Sequence, residues 1–525
     1  MKHIITSTMA VLLFGLCAMP AAQAQNTSSS IEKSKSESLW TSTTDNAAGG
    51  MIDAQEKYAT ANFGFEREQG DFKPTQIGDD NTAFTFHTEG GGIYKQVNNM
   101  YLWGSFTYTR DDIEDARWNA TLLDPLRGMP FFLADENYSD WKNQSYELAF
   151  KAGFPKLWDR LYVGIGATYK AAQGAKQIDP RPLTKLSDFS VTPSIVVDLG
   201  KQHHVGANFL YRSYREDGTA SCLNPLSHQV YEMVAPGFFS PGTLSNLSNS
   251  ANALRSYNAN TLGGGLQYGY SQDNFEVVLS GNYAYKVEDV FCNYMHPQMS
   301  GTVKEHQWDL TLAGNYHFDN GNLLSLTFKH SDRDYVGIEY FQTFYNTAER
   351  QEWITDAVYE RSNFQISDQM LKIDYMVADE ELAYRWMFGL EGHLNDDYYI
   401  YYLPESVREV KTATLSAYAK RNIALAERHS LQIQVRGGFS SNLEGSFTYA
   451  GTRGESIAYT EFAVADYEYM CTDYTTFGGE LAYTFKGLFK KTASLFASAS
   501  YDHISPSGNY FDKRNVMLFK VGLNF

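Results

Sequence analysis

Basic side chains recur on the polar side of several alternating segments in this 525-residue chain, where they could attract a charged solute. They are Lys170, Arg212, Lys286, Lys329, Lys372, Lys420, Arg436 and Lys520. On the same sides we find three acidic residues, Glu276, Asp309 and Asp374. If these sides line a channel, the positive excess favours anionic solutes. The alternative is that the charges pair with carboxylates and hold an inward-folded loop.

Arg181 is the most conspicuous single residue, because it stands between two prolines in Asp179-Pro180-Arg181-Pro182. The prolines stiffen the loop and would aim the guanidinium, which can bind a carboxylate or phosphate through two hydrogen bonds. The competing interpretation, which we favour, is a structural ion pair with Asp179 or Asp188.

Cysteine, histidine and methionine lie close together in the segment from Cys292 to Met299. Such soft ligands suit copper or haem iron. Their spacing matches no metal motif, so we expect an ordinary loop, no metal and no cofactor. Cys292 could form a disulfide with Cys222 in the preceding long loop.

The sequence gives little support for an enzyme or for nucleic-acid binding. A nucleophilic serine needs a histidine and an orienting acid, and the chain has no G-x-S-x-G motif. Asp502 and His503 near the end of a predicted strand could be half of an acid/base pair, but adjacent side chains on a strand point to opposite faces. The net charge of −18 disfavours nucleic acid, whose phosphates need a basic surface.

Apolar and polar residues alternate in long runs, which indicates β-strands with one oily face. The run at the end of the sequence contains Met517, Phe519, Val521, Leu523 and Phe525, each separated by one residue. Such runs are longer than the roughly 5–6 residues of an average soluble strand. They match the roughly 9–11 residues of a tilted strand that crosses a membrane.

Short and long connections alternate along the chain. The long ones are Arg117–Asp140, Arg215–Arg255, Gln342–Arg361 and Tyr449–Asp466. Tight turns on one side and long loops on the other are typical of outer-membrane barrels, whereas loops in a soluble β-sandwich or propeller would not sort by length. The sequence therefore predicts an all-β, transmembrane, antiparallel up-and-down β-barrel of about 18 strands, with 16 as the alternative, over residues 58–525.

Such a wide barrel normally has an aqueous lumen unless loops or a plug fill it. Aromatic residues near strand ends would form the interfacial girdles. The candidates are Tyr94, Tyr101, Trp103, Tyr285, Trp308, Trp386 and Tyr483.

The first 57 residues lack this alternation. Residues 1–24 have an apolar stretch and an Ala22-Gln23-Ala24 cleavage site, which predict a secretory signal. Residues 25–57 would form an N-terminal periplasmic or luminal segment. We expect Asn26–Leu39 to be disordered, because it is rich in Ser, Lys and Glu. Small residues near Trp40 suggest a piece that enters the lumen or caps its mouth, and a flexible leader is the alternative.

Three short motifs suggest a family. The D-P-R-P motif at residues 179–182, Trp40 with Asn46-Ala47-Ala48-Gly49, and the segment Trp103–Tyr108 together resemble a Bacteroidetes family of outer-membrane β-barrel proteins of unknown function. The resemblance implies an accessory barrel of an envelope nutrient-uptake system in a Gram-negative cell, with other uptake proteins as partners.

We therefore expect a porin-like barrel in the cell outer membrane, which passes or helps to take up a small, anionic solute. The alternative is a non-conducting barrel that serves as a binding or assembly partner in an uptake complex. The expected partners are outer-membrane lipid and the barrel-assembly machinery, which would recognise the strand ending in Phe525; nucleic acid is not among them.

Overall fold

The computed structural model describes residues 26–54, 56–221, 230–235, 239–244, 254–292, 296–452, 454–488 and 492–525. The predicted signal segment, residues 1–24, lies outside this range.

Eighteen antiparallel strands form one closed sheet. Each pairs with the next barrel strand along the chain, and β1 (Tyr58–Gly70) also pairs with β21 (Arg514–Asn524), which closes the ring. This confirms the predicted 18-stranded β-barrel. The other barrel strands are β2 (Asp80–Tyr94), β3 (Met100–Ala116), β5 (Ser139–Gly153), β6 (Leu161–Lys176), β7 (Leu183–Gly200), β8 (His203–Thr219), β11 (Leu254–Gln272), β12 (Phe275–Cys292), β13 (Gln298–His317), β14 (Leu323–Asn346), β15 (Gln351–Val377), β16 (Trp386–Tyr402), β17 (Glu405–Ala426), β18 (His429–Thr448), β19 (Tyr474–Leu488) and β20 (Ala493–Pro506).

The outer face of the barrel is apolar and rich in aromatic residues. Phe63, Phe519 and Trp308 are all largely exposed there, and the ring of Trp308 packs 4.5 Å from that of Tyr283. Two predicted girdle residues instead face inward. Tyr101 is buried, and the Trp103 indole N–H donates a hydrogen bond to the Tyr58 hydroxyl at 3.2 Å.

Short turns join the strands at one end, which we call the turn end, and longer connections join them at the other, the loop end. Two of the long connections contribute a second sheet of three strands, β4 (Phe131–Asp135), β9 (Val230–Val234) and β10 (Phe239–Leu244). The predicted loop Gln342–Arg361 is largely a continuation of the β14–β15 hairpin. Cross-strand packing extends that hairpin, as between the Phe344 and Trp353 rings at 5.1 Å.

Residues 26–54 form an ordered plug at the turn end. It contains α1 (Ser28–Glu37), α2 (Leu39–Thr43), a 3₁₀ turn (Ala47–Gly49) and α3 (Gly50–Asp53). The expectation of disorder was wrong, because a capping box between Thr27 and Ser30 begins α1 and the barrel wall then binds it. Within the described residues, no helix has both the length and the apolar content needed to cross a membrane.

Candidate functional site: the barrel lumen

Polar contacts fix the plug around the inner wall at the turn end. The Asn26 side-chain amide donates to the carbonyls of Phe525 and Lys57, at 2.7 and 2.8 Å. On other strands, Lys420 Nζ lies 2.5 Å from Glu32 Oε1, and Lys35 forms an ion pair with Glu89. The plug therefore binds several separate strands and obstructs the lumen at this end.

Trp40 provides the main apolar anchor of the plug. Its side chain is 3% exposed and packs on the inner wall where β8 and β11 carry glycine. A Cβ atom at Gly206 would lie 3.0 Å from the Trp40 ring, and one at Gly269 would lie 2.6 Å from it. Gly164 likewise leaves room for Ala48, whose nitrogen would be 2.3 Å from an added Cβ. Glycine in these strands therefore permits close approach of the plug.

Asp53 lies at the end of α3 and stabilises the plug internally. Its Oδ2 accepts a hydrogen bond from the Trp40 backbone N–H at 2.5 Å. Burial raises the pKa of Asp53 to about 8 despite this hydrogen bond, and the nearby Glu276 carboxylate adds to the rise. Docking of the plug therefore favours the protonated carboxyl group.

Folded-in loops obstruct the lumen at the loop end, and we call them and the plug the two closures. Phe131 of β4 packs against wall glycines, and an added Cβ at Gly301 would lie 2.5 Å from its ring. The ring of Trp118 packs at a tilt against that of Phe462, with 5.8 Å between the ring centres. Phe462 lies in the π-helical turn Tyr459–Ala463, just before α4 (Val464–Cys471). Together with wall residues such as Tyr335, these side chains form the largest apolar cluster among the described residues.

Between the two closures the inner wall is polar and partly open to solvent. The side chains of Arg212 and His393 are 47% and 37% exposed, although both lie on inward-facing positions. Small hydroxyl side chains lie beside Arg212, since Ser190 stands opposite it in the register and forms a 2.6 Å hydrogen bond with Thr168. We call this region the chamber.

Most of the predicted basic residues pair with carboxylates. Arg212 Nη2 and Nε each donate a hydrogen bond to Asp188, at 2.7 and 2.8 Å. The others that form ion pairs are Lys286 with Glu305 at 2.5 Å and Glu288 at 3.4 Å, Lys372 with Asp374 at 3.3 Å, Lys420 with Glu32, and Arg436 with Asp502. Lys170 stands opposite Glu147 and Asp188 in the strand register.

Lys329 and Lys520 stand opposite uncharged residues. Lys329 faces Thr311 and Met370 in the register, and Lys520 faces Gly64 and Ser498.

The predicted excess of inner positive charge is therefore not what the structure shows. The sequence count missed carboxylates at Asp188, Glu305 and Asp502. Glu305 and Asp502 lie just beyond the alternating runs visible in the sequence, but the strands β13 and β20 continue through them. Because the missed acids share the inner face, the wall is close to charge balance.

The two loop predictions have different outcomes. Arg181 Nε lies 3.0 Å from Asp179 Oδ1, which is the structural ion pair that the sequence favoured. Cys222, one half of the predicted disulfide, lies outside the described residues. The Cys292 thiol lies 3.3 Å from Gln298 Oε1. In the range that the structure covers, no three His, Cys, Asp or Glu residues form a group that could hold a metal ion.

The sequence did not identify the residues that let the plug and the folded-in loops pack closely against the barrel wall. Gly206, Gly269 and Gly301 occupy inward positions of long strands, and isolated glycines there were the available signal. Arg127 and its partner Glu216 gave no signal, because only the fold brings them together.

A family model described as a family of unknown function, DUF6850, matches residues 47–525. This protein belongs to that family. The match covers the whole barrel and the part of the plug from Ala47 onward. The DUF6850 chain has no match among curated proteins.

Several solved structures are similar to this DUF6850 protein over most of its length. The FrpB iron transporter from Neisseria meningitidis is 8% identical, with a TM-score of 0.44, over 92% of this chain and 83% of that one. BauA, the ferric preacinetobactin receptor from Acinetobacter baumannii, is 8% identical, with a TM-score of 0.42, over 90% and 80%. Pseudomonas aeruginosa OpdK is 11% identical, with a TM-score of 0.34, over 90% and 99%.

Proposed function

We propose that this barrel lies in the outer membrane and passes a small polar solute passively through its lumen. The observation that carries the proposal is the chamber, a polar and partly solvent-exposed space between two separate closures. The two closures lie in series, so passage requires both the plug and the folded-in loops to move.

The lining of the chamber supports a hydrophilic solute. Hydroxyl groups and ion pairs cover its wall, and the positive and negative groups nearly balance. Pairing of Arg212 with Asp188 leaves little field to attract an anion. We therefore extend the proposal to polar solutes of either charge and withdraw the preference for anions.

The second candidate is a non-conducting barrel that acts as a binding or assembly partner of an envelope uptake complex. Occupation of both ends favours it. The two candidate functions differ in one respect: passage of a solute requires the plug and the folded-in loops to move out of the lumen, whereas a non-conducting barrel does not.

The outer face supports placement in a membrane. Its exposed aromatic residues would face lipid, because a closed sheet satisfies every backbone group internally. Insertion would depend on the barrel-assembly machinery, with β21 as the strand presented to it.

Liposome swelling tests the proposal. Gly206→Leu should displace Trp40, and Gly301→Leu should displace Phe131, since a side chain at either position meets the anchor ring. Each single variant should pass a neutral sugar slowly and the double variant rapidly, because the closures act in series. Gly281→Leu is the matched control, as an added Cβ there has open space around it. A folded double variant that passes nothing would favour the non-conducting alternative.

A further inference from the structure

Arg127 lies in the long connection between β3 and β5, yet its side chain enters the barrel wall. Its Nη1 donates to Glu288 Oε1 at 2.8 Å, and its Nη2 lies 3.4 Å from Glu216 Oε2. The side chains of Glu216 and Glu288 are 0% and 1% exposed. Two fully buried carboxylates therefore converge on one guanidinium group.

Two aromatic rings complete the surroundings of this guanidinium. The Arg127 Cζ atom lies 5.1 Å from the ring centre of Tyr214 and 5.0 Å from that of Tyr257. The Tyr214 hydroxyl donates to Glu216 at 2.6 Å, which fixes both groups. Carboxylates combined with aromatic faces bind organic cations by charge, hydrogen bonding and cation–π attraction. We call these four residues the cation cage.

The cage residues lie on β8, β11 and β12 of the barrel wall, whereas Arg127 comes from a loop. Two other groups of that loop also contact the cage: the Leu123 backbone N–H donates to Glu216 Oε1 at 2.6 Å, and the Thr121 hydroxyl lies 3.0 Å from that of Tyr257. With the rest of the loop in place, loss of the Arg127 side chain would leave two buried carboxylates at a cost in stability, because Lys286 at 3.4 Å from Glu288 already pairs with Glu305. The cage therefore favours a cation in the position of the Arg127 side chain.

Arg127 fits the cage incompletely. In the described part of the chain its Nε and Nη2 atoms are buried and make no hydrogen bond. Leu126 beside it is half exposed, so the tip of the loop reaches solvent. A free guanidinium compound could take the same position without the constraint of the loop backbone.

We propose that the cation cage is a binding site for a small organic cation that carries an alkylguanidinium group, and that Arg127 occupies it as an internal competitor. Binding of the solute would then expel Arg127 and loosen the closure at the loop end. This last step rests on the proposed function, but binding to the cage does not.

Calorimetric titration of the full-length barrel in detergent micelles with ethylguanidinium tests the site. The Arg127→Ala variant has an empty cage and should bind one equivalent. Wild-type protein should bind at least about tenfold more weakly, because the cage is available only in a minor state. Ethylammonium, which lacks the planar fork of nitrogens, should bind Arg127→Ala more weakly than ethylguanidinium.

Two further variants serve as controls. Arg181→Ala removes a loop arginine that pairs locally and does not enter the cation cage, so this variant should bind ethylguanidinium as weakly as the wild-type protein does. Adding Glu288→Gln to Arg127→Ala should abolish binding. If Arg127→Ala does not refold alone, refolding that depends on ethylguanidinium would support the cage. Arg127→Lys then gives a folded comparison, which should bind ethylguanidinium more tightly than wild type does.

Folded Arg127→Ala that fails to bind ethylguanidinium would overturn the proposal. The loop movement has its own readout, which is thermolysin cleavage before Leu122 in wild-type protein, since Leu122 is 1% exposed while the loop is docked. Ethylguanidinium should accelerate that cleavage at least about tenfold by expelling Arg127. Binding without acceleration would refute the internal competition. If ethylguanidinium binds and accelerates the cleavage, but the Gly206→Leu/Gly301→Leu variant passes no solute, only the proposed function is refuted.

Discussion

Replacing Trp40 with alanine should release the plug from the turn end. The side chain is almost completely buried against Gly206 and Gly269. Truncation of such a buried tryptophan costs about 3–5 kcal/mol. Every 1.4 kcal/mol is about a factor of ten in an equilibrium constant. The undocked fraction of the plug should therefore rise roughly 100- to 4,000-fold, while the polar contacts of Asn26 and Glu32 remain.

Limited trypsin digestion of the refolded barrel measures this fraction. Lys33 and Lys35 lie in α1, and cleavage there requires the helix to leave the wall, so the rate follows the undocked population. Trp158→Ala is the matched control, because Trp158 is 85% exposed in a turn at the same end. A Trp40→Ala rate within about threefold of the control rate would refute the role of Trp40 as the anchor.

Three other perturbations follow from the contacts of single residues. The docked plug raises the pKa of Asp53 to about 8 from an ordinary value of about 3.9, so docking of the plug should weaken as the pH rises across this interval. Asp53→Asn should remove this pH dependence. Trypsin cleavage rates at pH 5, 7 and 9 that change equally in the wild-type protein and in Asp53→Asn would contradict the prediction. Lys176→Met should lower the free energy of unfolding in urea by about 3–5 kcal/mol, because Lys176 and Asp135 form an ion pair at 3.3 Å and their side chains are 0% and 1% exposed. A decrease in the free energy of unfolding below about 1 kcal/mol would refute the importance of the pair. In the Gly206→Leu/Gly301→Leu background, Arg212→Ala should shift the reversal potential towards cation preference, because it leaves the Asp188 carboxylate unpaired in the chamber. Asp188→Asn should shift the reversal potential towards anion preference. Shifts of the same size and direction in both variants would exclude a pathway past this pair.

The barrel could be predicted from the sequence because strand alternation and loop length are local properties. The charge of the lumen could not, because it depends on where each strand ends. Glu305 and Asp502 lie in strand extensions without visible alternation, and both therefore escaped the count of inner acids. The ordered α1 also escaped prediction, since its stability comes from distant contacts such as Glu32 with Lys420 and not from its own composition.

The site itself was only partly visible for the same reason. Trp40 with its small neighbours indicated a piece that enters the lumen, and the structure places it there. Arg127, Glu216 and Glu288 are each separated by about 70 residues or more along the chain, so no local pattern connects them.

The most direct test of a closed chamber is the reaction of a cysteine placed within it. In proteoliposomes, Thr168→Cys in a background with the native cysteines replaced by serine should react slowly with a charged thiol reagent added to either side. Adding Trp40→Ala should accelerate the reaction from the turn end alone, and adding Phe131→Ala should accelerate it from the loop end alone. Fast labelling of the parent Thr168→Cys protein would show that the lumen is already open, and no labelling in any folded variant would show that there is no chamber to reach.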